Sequence, residues 1–123
     1  MHLYASREDY LEAILVLYKK FGSVRSVDIA RHMGVSKPSV CHAVNVLCDG
    51  GFLTKDDKHF ISLTEEGRKV AEKIYERHKF FKEQLISAGV RPNIAETEAC
   101  RIEHCISDES FLKLKEYREK GKG

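Results

Sequence analysis

No apolar run in this 123-residue chain approaches the roughly 20 residues that a membrane-spanning helix needs, so no membrane partner is expected. The opening residues, Met1-His2-Leu3-Tyr4, lack the basic start and apolar stretch of a signal peptide, and a cytoplasmic location is expected. There is no Gly-rich phosphate loop and no His-Glu-x-x-His, so neither an enzyme nor a small-molecule substrate is expected. Cysteine is sparse: Cys41, Cys48, Cys100 and Cys105 follow no zinc-finger spacing. Cytosolic thiols stay reduced, and most of these are expected to be small buried hydrophobes, Cys100 excepted. Internal repeats and low-complexity segments are also absent. What remains is an ordinary globular composition, 42% hydrophobic and 33% charged, which argues against disorder.

The formal charge of +2 hides an asymmetry. Between Tyr18 and Lys55 the basic residues Lys19, Lys20, Arg25, Arg31, Lys37 and Lys55 face only Asp28 and Asp49. Between Ile94 and Ser110, Glu96, Glu98, Glu103, Asp108 and Glu109 face only Arg101. A basic front suits a polyanion and an acidic back suits cations. Two solvated faces without partners would give the same charges.

The periodicity of apolar residues predicts a mainly α fold. Ser6 reads as the cap of a first helix that Gly22 ends. Ser26 would cap a short helix over Val27–Met33, broken by Gly34. Ser36 would cap a third, with Pro38 in its first turn, running to about Cys48. Two short helices joined by a tight glycine turn are a helix-turn-helix. Phe52–Lys55 and His59–Leu63 read as the strands of a small hairpin, or wing. A long helix then reaches about Ser87, a further one covers about Ile94 to Ile106, and a last one runs from Ser110 to Glu119 behind Ser107-Asp108-Glu109. We expect a winged helix-turn-helix over residues 1–66, followed by a helical domain over 67–123.

A DNA-recognition helix presents small and polar side chains, and its N-terminal end reaches base edges in the major groove. Ser36, Lys37, Ser39, His42 and Asn45 lie on or near one face of the third helix. Val40, Val44 and Leu47 lie opposite, positioned to pack on Ile29, Ala30 and Val35. Serine hydroxyls, Lys37 and the helix N-terminus suit phosphates, while His42 and Asn45 suit base edges. Lys55, Lys58 and His59 of the wing would follow the DNA backbone or the minor groove. A winged helix used only for protein contacts is the competing reading.

The sharpest chemistry is Cys100-Arg101-Ile102-Glu103-His104. On a helix, positions i, i+3 and i+4 share a face, so thiol, carboxylate and imidazole project together as ligands for first-row transition metals. Three ligands leave a shell incomplete. Asp9 and Glu12, three apart on the first helix, and His78 on the long helix are the candidates to complete it. Each has a plainer alternative: Asp9 as a cap, Glu12 as an exposed acid, His78 as a satisfied core histidine.

These motifs, in this order, resemble the iron- and manganese-dependent repressors of the diphtheria-toxin-repressor family. The likeness covers almost the whole chain. It rests on Asp9-Tyr10-Leu11-Glu12, Ser36-Lys37-Pro38-Ser39-Val40, Leu63-Thr64-Glu65-Glu66-Gly67, Arg77-His78 and, most specifically, Glu98-Ala99-Cys100-Arg101-Ile102-Glu103-His104. The resemblance implies a homodimer that closes on double-stranded operator DNA when metal binds, repressing metal-uptake genes. It also implies Asp9, Glu12, His78, Cys100, Glu103 and His104 as metal ligands. The pattern is a hybrid. The manganese-sensing branch has aspartate at position 9 but glutamate where Cys100 stands. The iron-sensing branch has that cysteine but methionine at position 9. Lys82 and Glu96 replace ligands of the iron branch's ancillary site, the length is like that of the manganese branch with an even shorter tail, and the SH3-like C-terminal domain of the iron branch is not expected.

Thiolate disfavours Mn²⁺ relative to Fe²⁺, Co²⁺ and Zn²⁺, whereas carboxylates favour harder ions. Fe²⁺ or Mn²⁺ is the expected cofactor, with Zn²⁺ or Co²⁺ as surrogates, as one or two ions per subunit and with Glu103 as the bridge. The cation would join the first helix to the later ones and so fix the spacing of two recognition helices. Ile74, Phe80, Phe81, Leu85, Phe111 and Leu114 are expected in the dimer core. Two rivals stand beside this reading. One is a winged-helix regulator sensing redox or a small ligand through Cys100 or Cys41. The other is a small zinc hydrolase using Glu103 as base.

Overall fold

The computed structural model describes residues 6–121, so the opening Met1–Tyr4 lies outside the described residues. The chain divides into two compact units, one up to Lys73 and one from Ile74. The division falls inside the long fourth helix.

The first unit holds α1 (Arg7–Phe21), α2 (Ser26–Met33), α3 (Lys37–Asp49), β1 (Leu53–Lys55), β2 (Ile61–Leu63) and the start of α4 (Glu65–Ser87). A reciprocal capping box opens α1. Ser6 Oγ accepts from the Asp9 amide at 3.1 Å, and Asp9 Oδ2 accepts from the Ser6 amide at 2.9 Å. Gly22 closes the helix in the left-handed region, φ 81°, donating its amide to the Tyr18 carbonyl. The expected cap of α2 is displaced by one residue. Arg25 holds the N-cap position, Ser26 is already helical, and Asp28 Oδ2 takes the Arg25 amide at 2.9 Å. α3 begins as read from the sequence, with Ser36 Oγ accepting from the Ser39 amide and Pro38 in the first turn.

Val24, Ile29, Val40, Val44, Leu47, Leu53 and Ile61 are buried together with Leu11 and Ile14 of α1. That set draws on α1, α2, α3 and both strands, so the helix-turn-helix and the hairpin share one core. The hairpin is antiparallel, with Leu53 opposite Leu63 and Lys55 opposite Ile61. The strands are shorter than expected. Asp56 Oδ1 accepts from the amides of Lys58 and Phe60, each at 2.9 Å, and His59 sits at φ 68°. This side-chain turn takes His59 and Phe60 out of the ladder. β2 gains a second neighbour instead, as the Ile61 amide donates to the Val24 carbonyl at 2.8 Å.

The second unit holds the rest of α4, α5 (Pro92–Ile102) and α6 (Asp108–Gly121). α5 starts earlier than expected because Pro92 sits in its first turn, where a missing amide costs nothing. It also ends earlier, with Glu103 as its C-cap. Ser107 Oγ accepts from the Ser110 amide at 3.1 Å, so Ser107 alone caps α6, and Asp108 and Glu109 are already helical, two residues before the expected start. Phe80 packs edge-on to Phe81 and to Phe111, with ring centroids 5.2 and 5.3 Å apart. Ile74, Phe80 and Phe111 are buried by the subunit's own residues. They serve its internal core, which corrects their expected place in a dimer core; Leu114 is exposed.

Candidate metal centre and DNA-reading face

The second unit brings three of the expected ligands together. His78 comes from α4, Cys100 from α5, and Glu103 from the C-cap of α5, and their ligand atoms all lie within 4.8 Å of one another. His78 Nδ1 is 2.9 Å from Glu103 Oε2 and 3.6 Å from Cys100 Sγ. His104 Nε2 lies 3.4 Å from Glu103 Oε1. Cys100, Glu103 and His104 do not all lie on one helix, as the sequence spacing suggested. Cys100 is helical. Glu103 keeps right-handed geometry (φ −59°, ψ −24°), which carries the same face one residue past the helix end. His104 lies in the turn that follows.

Glu103 is the unusual member. Its side chain is 0% exposed, and its Oε1 has no hydrogen-bond partner among the described residues. A buried carboxylate oxygen without a hydrogen bond is costly, and a cation is the usual compensation. His78 carries the positive charge that the site contains by itself. Hydrogen bonds that it donates to the Cys100 sulfur and to Glu103 push its pKa up to about 11, with burial opposing them.

The far side of the His78 ring is also engaged. Nε2 lies 2.6 Å from Glu96 Oε2, and Glu96 Oε1 lies 2.9 Å from Lys82 Nζ. Burial raises the Glu96 pKa, but hydrogen bonds and charge from Lys82 and His78 outweigh it, and the carboxyl lies below its ordinary value. Lys82 is raised by the same hydrogen bond.

Arg77 was read from the sequence only as a neighbour of His78. It is buried, and its guanidinium donates to the carbonyls of Glu103 (3.2 Å) and Ile106 (2.6 Å) and pairs with Asp108. It therefore pins the turn that carries Glu103 and His104. A signal for it exists in the sequence. Ile74, Arg77, His78 and Phe81 fall at helical spacing on one apolar stripe, where two cations need a structural reason.

Asp9 and Glu12 lie on α1 in the first unit, both half-buried. Asp9 Oδ2 is the acceptor that closes the capping box, so the capping alternative for Asp9 holds for at least one of its oxygens.

The expected DNA-reading residues are placed as the periodicity implied. Ser36, Lys37, Ser39, His42 and Asn45 are all exposed on α3, while Val40, Val44 and Leu47 are buried beneath. Ser36 Oγ donates to Ser39 Oγ at 2.8 Å, so the two hydroxyls at the helix start form one polar group. Lys55 and Lys58 are exposed on the wing. Arg25 stacks over the Phe60 ring at 4.2 Å and braces the wing's base. The cysteines differ from expectation: Cys41 and Cys105 are exposed, Cys48 and Cys100 are half-buried, and all four are free thiols. Cys41 stands on α3 beside His42, a helix position that packing does not use.

Residues 2–59 match the iron-dependent repressor N-terminal DNA-binding domain, and residues 64–122 match the iron-dependent repressor metal-binding and dimerisation domain. The transcriptional regulator MntR of Escherichia coli O6:H1 is 34% identical over 113 residues, covering 92% of this chain and 73% of that protein. The chain belongs to the iron-dependent repressor family, the diphtheria-toxin-repressor-like metal-dependent regulators. Among solved structures, the manganese regulator SloR superposes with a TM-score of 0.84 at 26% identity over 95% of this chain. The IdeR of T. acidophilum superposes with a TM-score of 0.78 at 30% identity over 96%. This repressor-family chain spans 55% and 56% of those two solved chains. For an iron-dependent repressor the donors at His78, Cys100 and Glu103 fit a divalent transition ion. They offer nitrogen, sulfur and oxygen at mutual ligand distance, with one buried Glu103 oxygen that has no hydrogen bond among the described residues.

Proposed function

We propose that this chain is a homodimeric, divalent-metal-dependent transcriptional regulator that binds double-stranded operator DNA and represses metal-uptake genes. The observation that carries the proposal is the buried Glu103 carboxylate beside an imidazole and a thiol, whose Oε1 has no hydrogen-bond partner among the described residues. We assign it no catalytic role and place it in the cytoplasm.

His78, Cys100, Glu103 and His104 hold the ion, and Asp9 and Glu12 are further ligands on the strength of the sequence resemblance. Fe²⁺ or Mn²⁺ is the effector, with Zn²⁺ or Co²⁺ as surrogates. When bound, the ion supplies two positive charges shared among carboxylate, imidazole and sulfur. His78 gives up its Nδ1 proton to become a ligand. Arg77 keeps the Glu103–Ile106 backbone in place, which holds the Glu103 carboxylate beside His78 and Cys100. Ser36, Lys37 and Ser39 grip phosphates, His42 and Asn45 read base edges, and Lys55 and Lys58 follow the backbone from the wing. Residues 1–66 form the DNA-reading domain, and residues 67–123 the metal-binding and dimerisation domain. DNA affinity then depends on metal because the two ligands favour the same conformation.

The test is DNA affinity measured anaerobically against a panel of divalent ions with a chelator control, on operator fragments selected from a random pool. Tight binding that needs Fe²⁺ or Mn²⁺ and is lost to chelator is expected. Affinity that follows oxidant and ignores chelator would contradict the proposal and favour a redox regulator.

A further inference from the structure

His78 lies between two different environments. Its Nδ1 faces the buried side, toward Glu103 Oε2 and Cys100 Sγ. Its Nε2 faces outward to Glu96, which is held in turn by Lys82. Helix geometry explains the arrangement. Lys82 is four residues after His78 on α4, and Glu96 is four residues before Cys100 on α5, so each helix presents one inner and one outer group on a single face. Side-chain exposure rises along the chain of contacts, from 0% at Glu103 through 11% at His78 to 48% at Glu96.

We propose that Glu96 and Lys82 form an outer couple that sets the metal affinity of the centre through the Nε2 side of His78. The inference rests on the metal-binding reading above. An imidazole that ligates through Nδ1 carries its remaining proton on Nε2, and that N–H needs an acceptor. A carboxylate there fixes the ring and strengthens it as a ligand. Glu96 Oε2 is in position to do both. Lys82 shares the same carboxylate through its other oxygen and draws part of its charge away. Glu96 is therefore a positioning residue that favours the metal, and Lys82 tempers it. Together they let a surface ion pair tune the threshold of a buried site.

The experiment measures Co²⁺ affinity of the full-length protein by chelator competition, anaerobically and with reductant. The variants are Glu96→Ala, Lys82→Met and the double variant, with melting of the chelated proteins as a folding control. Glu96→Ala should bind Co²⁺ about 10- to 100-fold more weakly, the usual scale for losing such a partner, with Co²⁺ absorption bands kept in position. Lys82→Met should tighten binding by about two- to fivefold, the scale of an exposed charge pair. That tightening should vanish in the Glu96→Ala background. Unchanged affinity in both single variants would overturn the proposal. Equal tightening with and without Glu96 would overturn it too, since Lys82 would then act directly on the ion. Shifted Co²⁺ bands in Glu96→Ala would make Glu96 a ligand, which also overturns it. A wild-type protein that binds one ion tightly but ignores both substitutions sinks only the couple. A wild-type protein that binds no Co²⁺, Mn²⁺ or Fe²⁺ sinks the metal-centre reading itself.

Discussion

His78 and Lys37 carry the two clearest consequences at the scale of single residues. The His78 imidazolium stands between Cys100 and Glu103 with its pKa pushed up to about 11, so at neutral pH it must release a proton before it can ligate. Metal uptake at pH 7.5 should therefore release at least one proton per ion. Isothermal titration in two buffers of different ionisation heat measures this, and a buffer-independent heat would contradict the role of His78. The same shift bears on the metal-free protein. A folded-state pKa raised above the ordinary value stabilises the fold fully below about pH 6.5 and loses that contribution as pH rises toward 11. Urea midpoints in chelator should fall from pH 6.5 to pH 10, and less so in His78→Gln. Lys37 acts by charge alone. It is exposed in the first turn of α3, so Lys37→Ala should weaken binding to any DNA sequence and reduce the slope of log affinity against log salt by about 1. An unchanged slope would remove Lys37 from the phosphate contacts.

At the scale of elements, local signals were legible and contacts between elements were not. The Ser6 and Ser36 caps, the Gly22 and Gly34 stops, and the buried and exposed faces of α3 all follow from residues within a few positions of each other. The end of α5 did not. A helix through Ile106 satisfied the periodicity, but the Glu103 and Ile106 carbonyls turn to Arg77 instead of continuing the helix. Motif spacing exposed Cys100, Glu103 and His104, whereas Glu96 meets His78 and Lys82 only through the approach of two helices. Gly67 shows the same limit. In the sequence it looks like a weak spot in the first turn of α4. In the structure a Cβ at that position would lie 2.0 Å from the Phe52 carbonyl oxygen and 3.0 Å from its carbon. Backbone cannot move aside as a side-chain tip can. Thr64 ties the same junction, accepting from the Gly67 amide and donating to the Gly51 carbonyl at 2.7 Å. Gly67→Ala should cost about 3 kcal/mol, at or above the upper end of ordinary overpacking, although alanine is the better helix former. The urea midpoint of the chelated protein checks it, and an unchanged midpoint would mean the wing and α4 separate without penalty.

At the scale of the whole molecule, chemistry is segregated along the chain. The basic run from Lys19 to Lys55 and the exposed polar face of α3 belong to the first unit, while the acidic run from Glu96 to Glu109 and the buried cluster belong to the second. Such a chain works as a regulator only if occupancy of the cluster changes DNA affinity, and Glu103 is the residue on which that link depends. The most direct test is the ratio of DNA affinity with and without Mn²⁺ or Fe²⁺, measured side by side for wild type and Glu103→Gln. The wild type should show a large ratio and Glu103→Gln a ratio near one, whether its metal-free affinity rises or stays low. A Glu103→Gln protein that keeps the wild-type ratio would contradict the account.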